Sequence, residues 1–290
     1  MTKINKALDY NKLLEDQSKG KLLKKHLKFP LIAHIKYDGN YVVVEIGDDY
    51  RIHHTSGGLT YTHADNAGDI FDEAKPGFYL CERIHGEGKL GARNKCNLTG
   101  SKDNQKSKGH NYKVFDYLTI TEYIFSKSNY GYFVRRGAVE NSYLPASCIE
   151  LGKAINSKEE LDAYLREVVN DGYEGLMLYG YDYVWEDTKS RKPHFAKYKK
   201  RRTADLLCIG WKEGTGKYEG LIGSLLLQDS EGREVYVGSG MSDMDRQIVP
   251  EYFVGLVIEI EYEQIVDTYI QATHSPLNEG VLIRDKREID

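Results

Sequence analysis

The chain has 290 residues, 40% of them hydrophobic and 29% charged, with a formal net charge of −4. That length suffices for two compact domains, and the composition is that of a soluble globular protein. No apolar run approaches the roughly 20 residues of a membrane span, and the polar opening stretch MTKINKALDYNKLLED lacks the apolar core of a secretory signal. Four scattered cysteines, Cys81, Cys96, Cys148 and Cys208, form no C-x-x-C pair. That spacing argues against zinc and for a reduced, cytoplasmic setting.

The first 28 residues read as helix, with Leu13, Leu14, Leu22, Leu23 and Leu27 spread among lysines. β-Branched and aromatic runs follow at Leu31–Ile35, Tyr41–Ile46, Phe78–Ile84, Tyr112–Tyr117 and Leu176–Tyr179, and read as strands. Ser157–Val169 opens on a capping serine, carries Glu159 and Glu160 in its first turn, and repeats apolar residues at Leu161, Tyr164, Leu165 and Val168. It reads as a capped helix. The irregular order of strands and helices predicts an α+β fold.

After Arg202 the texture changes. Leu206–Trp211, Leu221–Gln228, Glu234–Val237 and Val257–Tyr262 read as short strands between glycine-rich turns, with a short helix at Ser242–Val249. Such a series fits a small β-barrel, of which the OB-fold is the common nucleic-acid-binding type. The predicted boundary therefore divides the chain into 1–202 and 203–290. Charge divides there too: residues 1–202 carry 33 bases and 27 acids, whereas 203–290 carry 7 bases and 17 acids. A phosphate-bearing partner would meet the first part more readily.

Ile32–Gly39 reads IAHIKYDG. Lys36 follows an apolar strand and precedes the Asp38-Gly39 turn signal, so it sits at the mouth of a sheet. Partial desolvation there would free its amine for attack. Downstream, FYLCERI places Glu82 at a strand end, YKVFDYL places Phe115 late in a strand, and YEGLMLY places Glu174 where a strand begins. In FAKYKKRR, Lys197 and Lys199 share one face of a strand. Each has an ordinary reading on its own: a turn lysine, solvated carboxylates, a core phenylalanine, a solvated basic run.

Together these motifs resemble the covalent nucleotidyltransferases, and among them the small ATP-dependent DNA ligases. Lys36-Tyr37-Asp38-Gly39 is similar to the first motif, K-x-D-G; Glu82 to the third; Phe115-Asp116 to the variant after it; Glu174-Gly175 to the fourth; Lys197-x-Lys199 to the fifth. VGSGMSD at Val237–Asp243 and RDK at Arg284–Lys286 resemble the family's OB domain and final motif. The resemblance implies a nucleotidyltransferase (ATP-grasp-like) domain followed by an OB-fold β-barrel. It implies ATP and Mg²⁺ as cofactors, nicked duplex DNA as partner, and a monomer acting in DNA repair, replication or recombination. Lys36 would become lysyl-AMP. His34, Asp38, Glu82, Phe115, Lys197 and Lys199 would contact the nucleotide, Glu82 and Glu174 the metal, and Arg284 and Lys286 pyrophosphate. Lys200, Arg201 and Arg202 would face DNA, helped by the lysine-rich N-terminus and the polar loop Gly88–Asn111.

Two positions depart from the family pattern. Tyr41 stands where an arginine is usual, and His53–Gly58 (HHTSGG) where a Ser-Arg pair is usual. Those arginines normally grip the nucleotide or the nick phosphate. Gly86-x-Gly88-x-x-Gly91 matches a dinucleotide fingerprint, but no β-α-β pattern surrounds it, and Gly216-Lys217 lacks the rest of a P-loop. An RNA ligase or an mRNA-capping guanylyltransferase would share Lys36 and most motifs. A non-catalytic OB nucleic-acid-binding protein would form no covalent AMP adduct.

Overall fold

The computed structural model describes residues 7–18, 27–55, 60–61, 70–93, 110–187, 194–266, 269–272 and 283–284. The chain divides into two compact units, residues 1–200 and 201–290.

In chain order the first unit holds β1 (Leu8–Asp9), α1 (Tyr10–Ser18), β2 (Leu31–Lys36), β3 (Asn40–Ile46), β4 (Arg51–Thr55), β5 (Thr60–Tyr61), β6 (Gly77–His85) and β7 (His110–Leu118). There follow α2 (Ile120–Ile124), α3 (Tyr132–Glu140), β8 (Lys153–Ile155), α4 (Lys158–Asn170), β9 (Gly175–Gly180) and β10 (Phe195–Lys199). The strands form two five-stranded sheets, ordered β1-β10-β9-β2-β8 and β5-β4-β3-β6-β7.

Alternation along the strands decides which residues meet. Leu31 and Ala33 of β2, Leu176 and Leu178 of β9, and Ala196 and Tyr198 of β10 share a core with Leu161, Leu165 and Val168 of α4. That helix starts as expected, with the Glu160 amide donating to Ser157 Oγ at 3.2 Å. In the second sheet, Val42, Val44, Tyr79, Cys81, Tyr112 and Val114 fill a separate core. The intervening residues face the other way. Ile32 and Tyr179 join Tyr132 and Phe195 in a third cluster, and Val43, Phe78 and Leu80 pack with Trp185 in another. Phe115 borders both of these last clusters. The same parity carries His34 and Lys36 to the Ile32 face and Glu82 to the Leu80 face.

Three local expectations change. Of the first 28 residues, α1 alone is helical among those described, and residues 1–6 and 19–26 lie outside the described part. The sequence reading missed α2 and α3, because Ile124, Phe125, Phe133 and Val134 are exposed and blur the amphipathic pattern. The start of α2 is nonetheless locally encoded: Thr119 and Glu122 form a reciprocal capping box. The helix expected at Ser242–Val249 is replaced by short 3-10 turns at Asp245–Gln247 and Pro250–Tyr252. Val249 precedes proline and is extended, with φ −56° and ψ 122°, as the proline ring requires.

The second unit contains β11 (Arg202–Glu213), β12 (Ile222–Gln228), β13 (Glu234–Val237), β14 (Val257–Val266), β15 (Tyr269–Ala272) and β16 (Ile283–Arg284). Their order is β11-β12-β13-β15-β14-β16, and β11 also pairs with β14. Leu206, Cys208, Ile222, Leu225, Leu227, Ile258 and Ile260 supply its core. Arg246 ties the far side: Nη1 donates to the carbonyls of Ile222 and Gly223, each at 2.7 Å, and the guanidinium lies 4.4 Å from the Tyr218 ring centre.

Candidate active site

The inward faces of the two sheets of the first unit enclose a cavity of about 320 Å³, within the range of small-ligand sites. Lys36, Glu82, Phe115 and Lys197, from four different strands, all line it. Lys36 closes β2, whose register sets it opposite Gly175 of β9. Glu174 therefore lies just beyond the paired strand, within reach. Its Oε2 pairs with Lys36 Nζ and its Oε1 with Lys199 Nζ. Burial acts to raise the Glu174 carboxyl's pKa, but Lys36 and Lys199 outweigh it and hold the pKa below the ordinary glutamate value. One carboxylate thus fixes two ammonium groups on separate strands. Lys197, two residues from Lys199 on the same face, lies 3.8 Å from Asp9 Oδ2.

Glu82 lies on the opposite wall, inside β6 rather than at its end, since the strand continues to His85. Its carboxyl is pushed up to about 7, by burial first. Glu174 and Asp38 add to the rise, while Lys36 and Arg93 oppose it. Carboxylates crowded this way are what a hard cation relieves.

The aromatic wall is centred on Phe115. Its ring centre is 6.2 Å from Tyr41 and 6.5 Å from both Tyr179 and His34. His34 is 2% exposed, and its ring is fixed by Tyr132 of α3. The Tyr132 hydroxyl has one proton and gives it to the Phe115 carbonyl at 2.6 Å. His34 Nε2, 2.6 Å from the same oxygen, must then be the donor. Its Nδ1 is left facing Glu150 Oε1 at 3.7 Å, without a hydrogen-bond partner among the described residues. Trp185 Nε1 on the cavity wall is likewise buried and unpartnered among them. Glu150, which also accepts from Tyr37 Oη at 2.6 Å, and Trp185 are lining residues that sequence reasoning missed. Both come from segments with no local motif.

Asp38, like Glu174 and Lys199, is not among the residues that line the cavity, and its carboxylate accepts from the Gly91 amide at 2.7 Å. Lys200 and Arg201 are exposed, and Arg201 Nε stands 3.5 Å from Glu261 Oε1. Arg284 is described only through its strand pairing with Val257. Lys286 lies outside the described residues, as do 189–193 of the basic run Lys189–Arg202, 94–109 of the polar loop and 56–58 of HHTSGG. Where the family would place gripping arginines, Tyr41 packs on Phe115, His54 pairs with Glu45 at 2.8 Å, and His53 is fully buried. Burial, and after it Arg51 and Arg83, lowers the His53 pKa to about 3. Its ring resonances should therefore stay constant in an NMR titration from pH 8 to 5. A midpoint near the ordinary histidine value of about 6.5 would show it solvated and available. Because its folded pKa lies below the unfolded value, its contribution to stability is complete above about pH 6.5 and declines as pH falls toward about 3.

Residues 213–269 match the family model described as the DNA ligase OB-like domain. The DNA ligase of Enterobacteria phage T4 is 26% identical over 180 residues, covering 57% of this chain and 36% of that protein. The phage T6 DNA ligase matches to the same extent. The chain thus spans about a third of the length of these curated relatives. Among solved structures, Pmar-Lig_PreS3 superposes with a TM-score of 0.73 at 17% identity, covering 94% of this chain and 66% of that one. The Lig E DNA ligase of the study "DNA binding with a minimal scaffold" superposes with a TM-score of 0.68 at 16% identity, covering 93% and 96%. In sequence over part of its length, and in fold over nearly all of it, the chain is similar to the DNA ligases.

Proposed function

We propose that the chain is an ATP-dependent DNA ligase that seals 5′-phosphate/3′-hydroxyl nicks in duplex DNA. Residues 1–202 would form its adenylation domain and 203–290 an OB-fold β-barrel. The observation that carries this reading is the Lys36–Glu174–Lys199 array, whose Lys36 lines an aromatic-walled cavity. Covalent transfer needs an ordered amine beside a cation that can hold phosphate oxygens, and Lys36 and Lys199 are the two groups of this array that could serve.

In the first step the Lys36 amine, having lost its proton, attacks the α-phosphorus of ATP. The N–P bond forms as the bond to pyrophosphate breaks. AMP passes next to the 5′-phosphate of the nick, regenerating the lysine, and the 3′-hydroxyl then displaces AMP. All three are in-line displacements, so the protein works by positioning and charge stabilisation. Phe115 stacks on the base, whose edge finds the unpartnered His34 Nδ1 and Trp185 Nε1. Lys197 and Lys199 hold α-phosphate oxygens, and Arg284 and Lys286 act on pyrophosphate. Glu82 and Glu174 are the carboxylates that would hold Mg²⁺, which when bound neutralises phosphate charge. Among the described residues no three metal-ligating side chains converge, so water and phosphate would complete its shell. No helix among the described residues is long and apolar enough to cross a membrane.

The test is incubation with α-labelled ATP and Mg²⁺, followed by denaturing electrophoresis. A labelled band is expected, and its absence would sink the reading. Lys200, Arg201 and Arg202 are proposed to meet DNA phosphates. Replacing Arg201 and Arg202 with alanine should spare adenylation. It should also make the slope of log K against log salt shallower by about 0.9 for each DNA phosphate the variant no longer neutralises. An unchanged slope would place the DNA path elsewhere.

A further inference from the structure

The Gly86–Gly91 segment has the spacing of a dinucleotide loop, but the fold gives it a mechanical task. Gly86, Gly88 and Gly91 adopt φ of 57°, 72° and 90°, a region where side chains are strained. A β-carbon at Gly88 would also come within 2.9 Å of Ile84 and Tyr37. The loop is fastened on two sides. The Asp38 amide donates to the Gly88 carbonyl at 2.9 Å, and the Gly91 amide donates to Asp38 Oδ2 at 2.7 Å. The Leu90 amide donates to the Gly172 carbonyl at 2.9 Å. Asp38 follows Lys36 by two positions, and Gly172 precedes Glu174 by two. The loop is therefore tied to the two segments that carry the nucleophile and its carboxylate.

Two residues past the Asp38 latch stands Arg93. It is exposed, yet its side chain forms part of the cavity wall along with Lys36 and Glu82. A guanidinium stays charged and offers a planar fork of donors matched to phosphate oxygens. Meanwhile Tyr41 and His53, at or beside the positions where gripping arginines would be expected, are committed to packing.

We propose that Arg93 binds the phosphate that reacts at Lys36, with the Asp38-latched glycine loop holding it in place. This rests on the reading of Lys36 as the acceptor of AMP. The phosphate belongs either to the nucleotide or to the 5′ end of the nick, and two assays separate these sources. One follows adduct formation against ATP concentration. The other follows AMP transfer from pre-adenylated protein to a nicked duplex.

Arg93→Ala should lower the rate by about tenfold or more in at least one assay, the size expected for losing a charge-assisted hydrogen bond. Arg93→Lys should recover part of that activity. Arg51→Ala removes an arginine of the same unit that pairs with Asp72 outside the cavity, and should change neither rate. An effect confined to adduct formation assigns Arg93 to the nucleotide phosphate. An effect confined to transfer assigns it to the nick. If Arg93→Ala matches wild type within about twofold in both assays, a change too small for a charged hydrogen bond, the proposal is overturned. A wild-type protein that forms no adduct refutes the ligase reading itself, and this inference with it.

Discussion

Lys36→Ala is expected to abolish the proposed covalent AMP adduct but to leave partial sealing of a chemically pre-adenylated nick. The asymmetry follows from the proposed chemistry: Lys36 would bond to AMP in the first step, give it up in the second and not be needed as a nucleophile in the third. Removing a covalent nucleophile costs on the order of 10³-fold or more, so the labelled band should fall below detection. One alternative amine is Lys199, which shares the Glu174 carboxylate. It lies on β10, two strands across the sheet from β2, and should not reach the same phosphorus in line. A labelled band in the Lys36→Ala protein, mapped by peptide sequencing to Lys199 or Lys197, would defeat the assignment of the nucleophile. Equal impairment in both assays would mean that Lys36 acts mainly by holding Glu174.

The strands of the first unit were legible because short runs of apolar, β-branched and aromatic residues of strand length are a local signal. Leu31–Ile35, Phe78–Ile84 and Leu176–Tyr179 each lie inside an observed strand. Alternation also shows why His34 and Lys36 share a face. What alternation cannot reveal is which distant side chain closes a contact. The Glu174 carboxylate that holds Lys36 is 138 residues away, and the latch between Asp38 and Gly91 spans 53. The K-x-D-G motif points Asp38 toward the nucleotide site. In the fold its carboxylate accepts from the amide of Gly91, in the loop that leads to Arg93, a contact no local pattern announces. Glu150 and Trp185 carry no local motif, since a buried polar group is defined by the surfaces that enclose it. The helices α2 and α3 were missed for the opposite reason: their apolar residues are partly outward-facing, and a sequence window cannot tell an exposed phenylalanine from a core one.

The largest stability effect should come from a buried pair whose Asp116 is part of the cavity wall. Arg135 of α3 and Asp116 of β7 have side chains only 2% exposed, joined by a bidentate contact: Nε to Oδ1 at 2.9 Å and Nη2 to Oδ2 at 3.0 Å. Arg135 Nη1 also donates to the carbonyls of Tyr130 at 2.6 Å and Tyr183 at 3.0 Å. Arg135→Met therefore strands one carboxylate and the two carbonyls it served. Breaking a buried pair in this way costs about 3–5 kcal/mol, well above the effect of a typical substitution. Burial already pushes the Asp116 carboxyl up despite Arg135. Without the guanidinium it should rise further, so the variant's destabilisation should be greatest at neutral pH. The deficit should shrink as pH falls through the raised folded pKa, because the native state then takes up a proton the unfolded chain has released. Adding Asp116→Asn to Arg135→Met removes the stranded charge, and the double variant should be more stable than the single at about pH 7. Urea titrations at about pH 7 and pH 5 measure both effects. The effect should also be felt in the site, because α3 carries Tyr132, which orients His34. An unfolding free energy for Arg135→Met within about 0.5 kcal/mol of wild type, the range of an ordinary surface change, would show that the pair does not hold the wall.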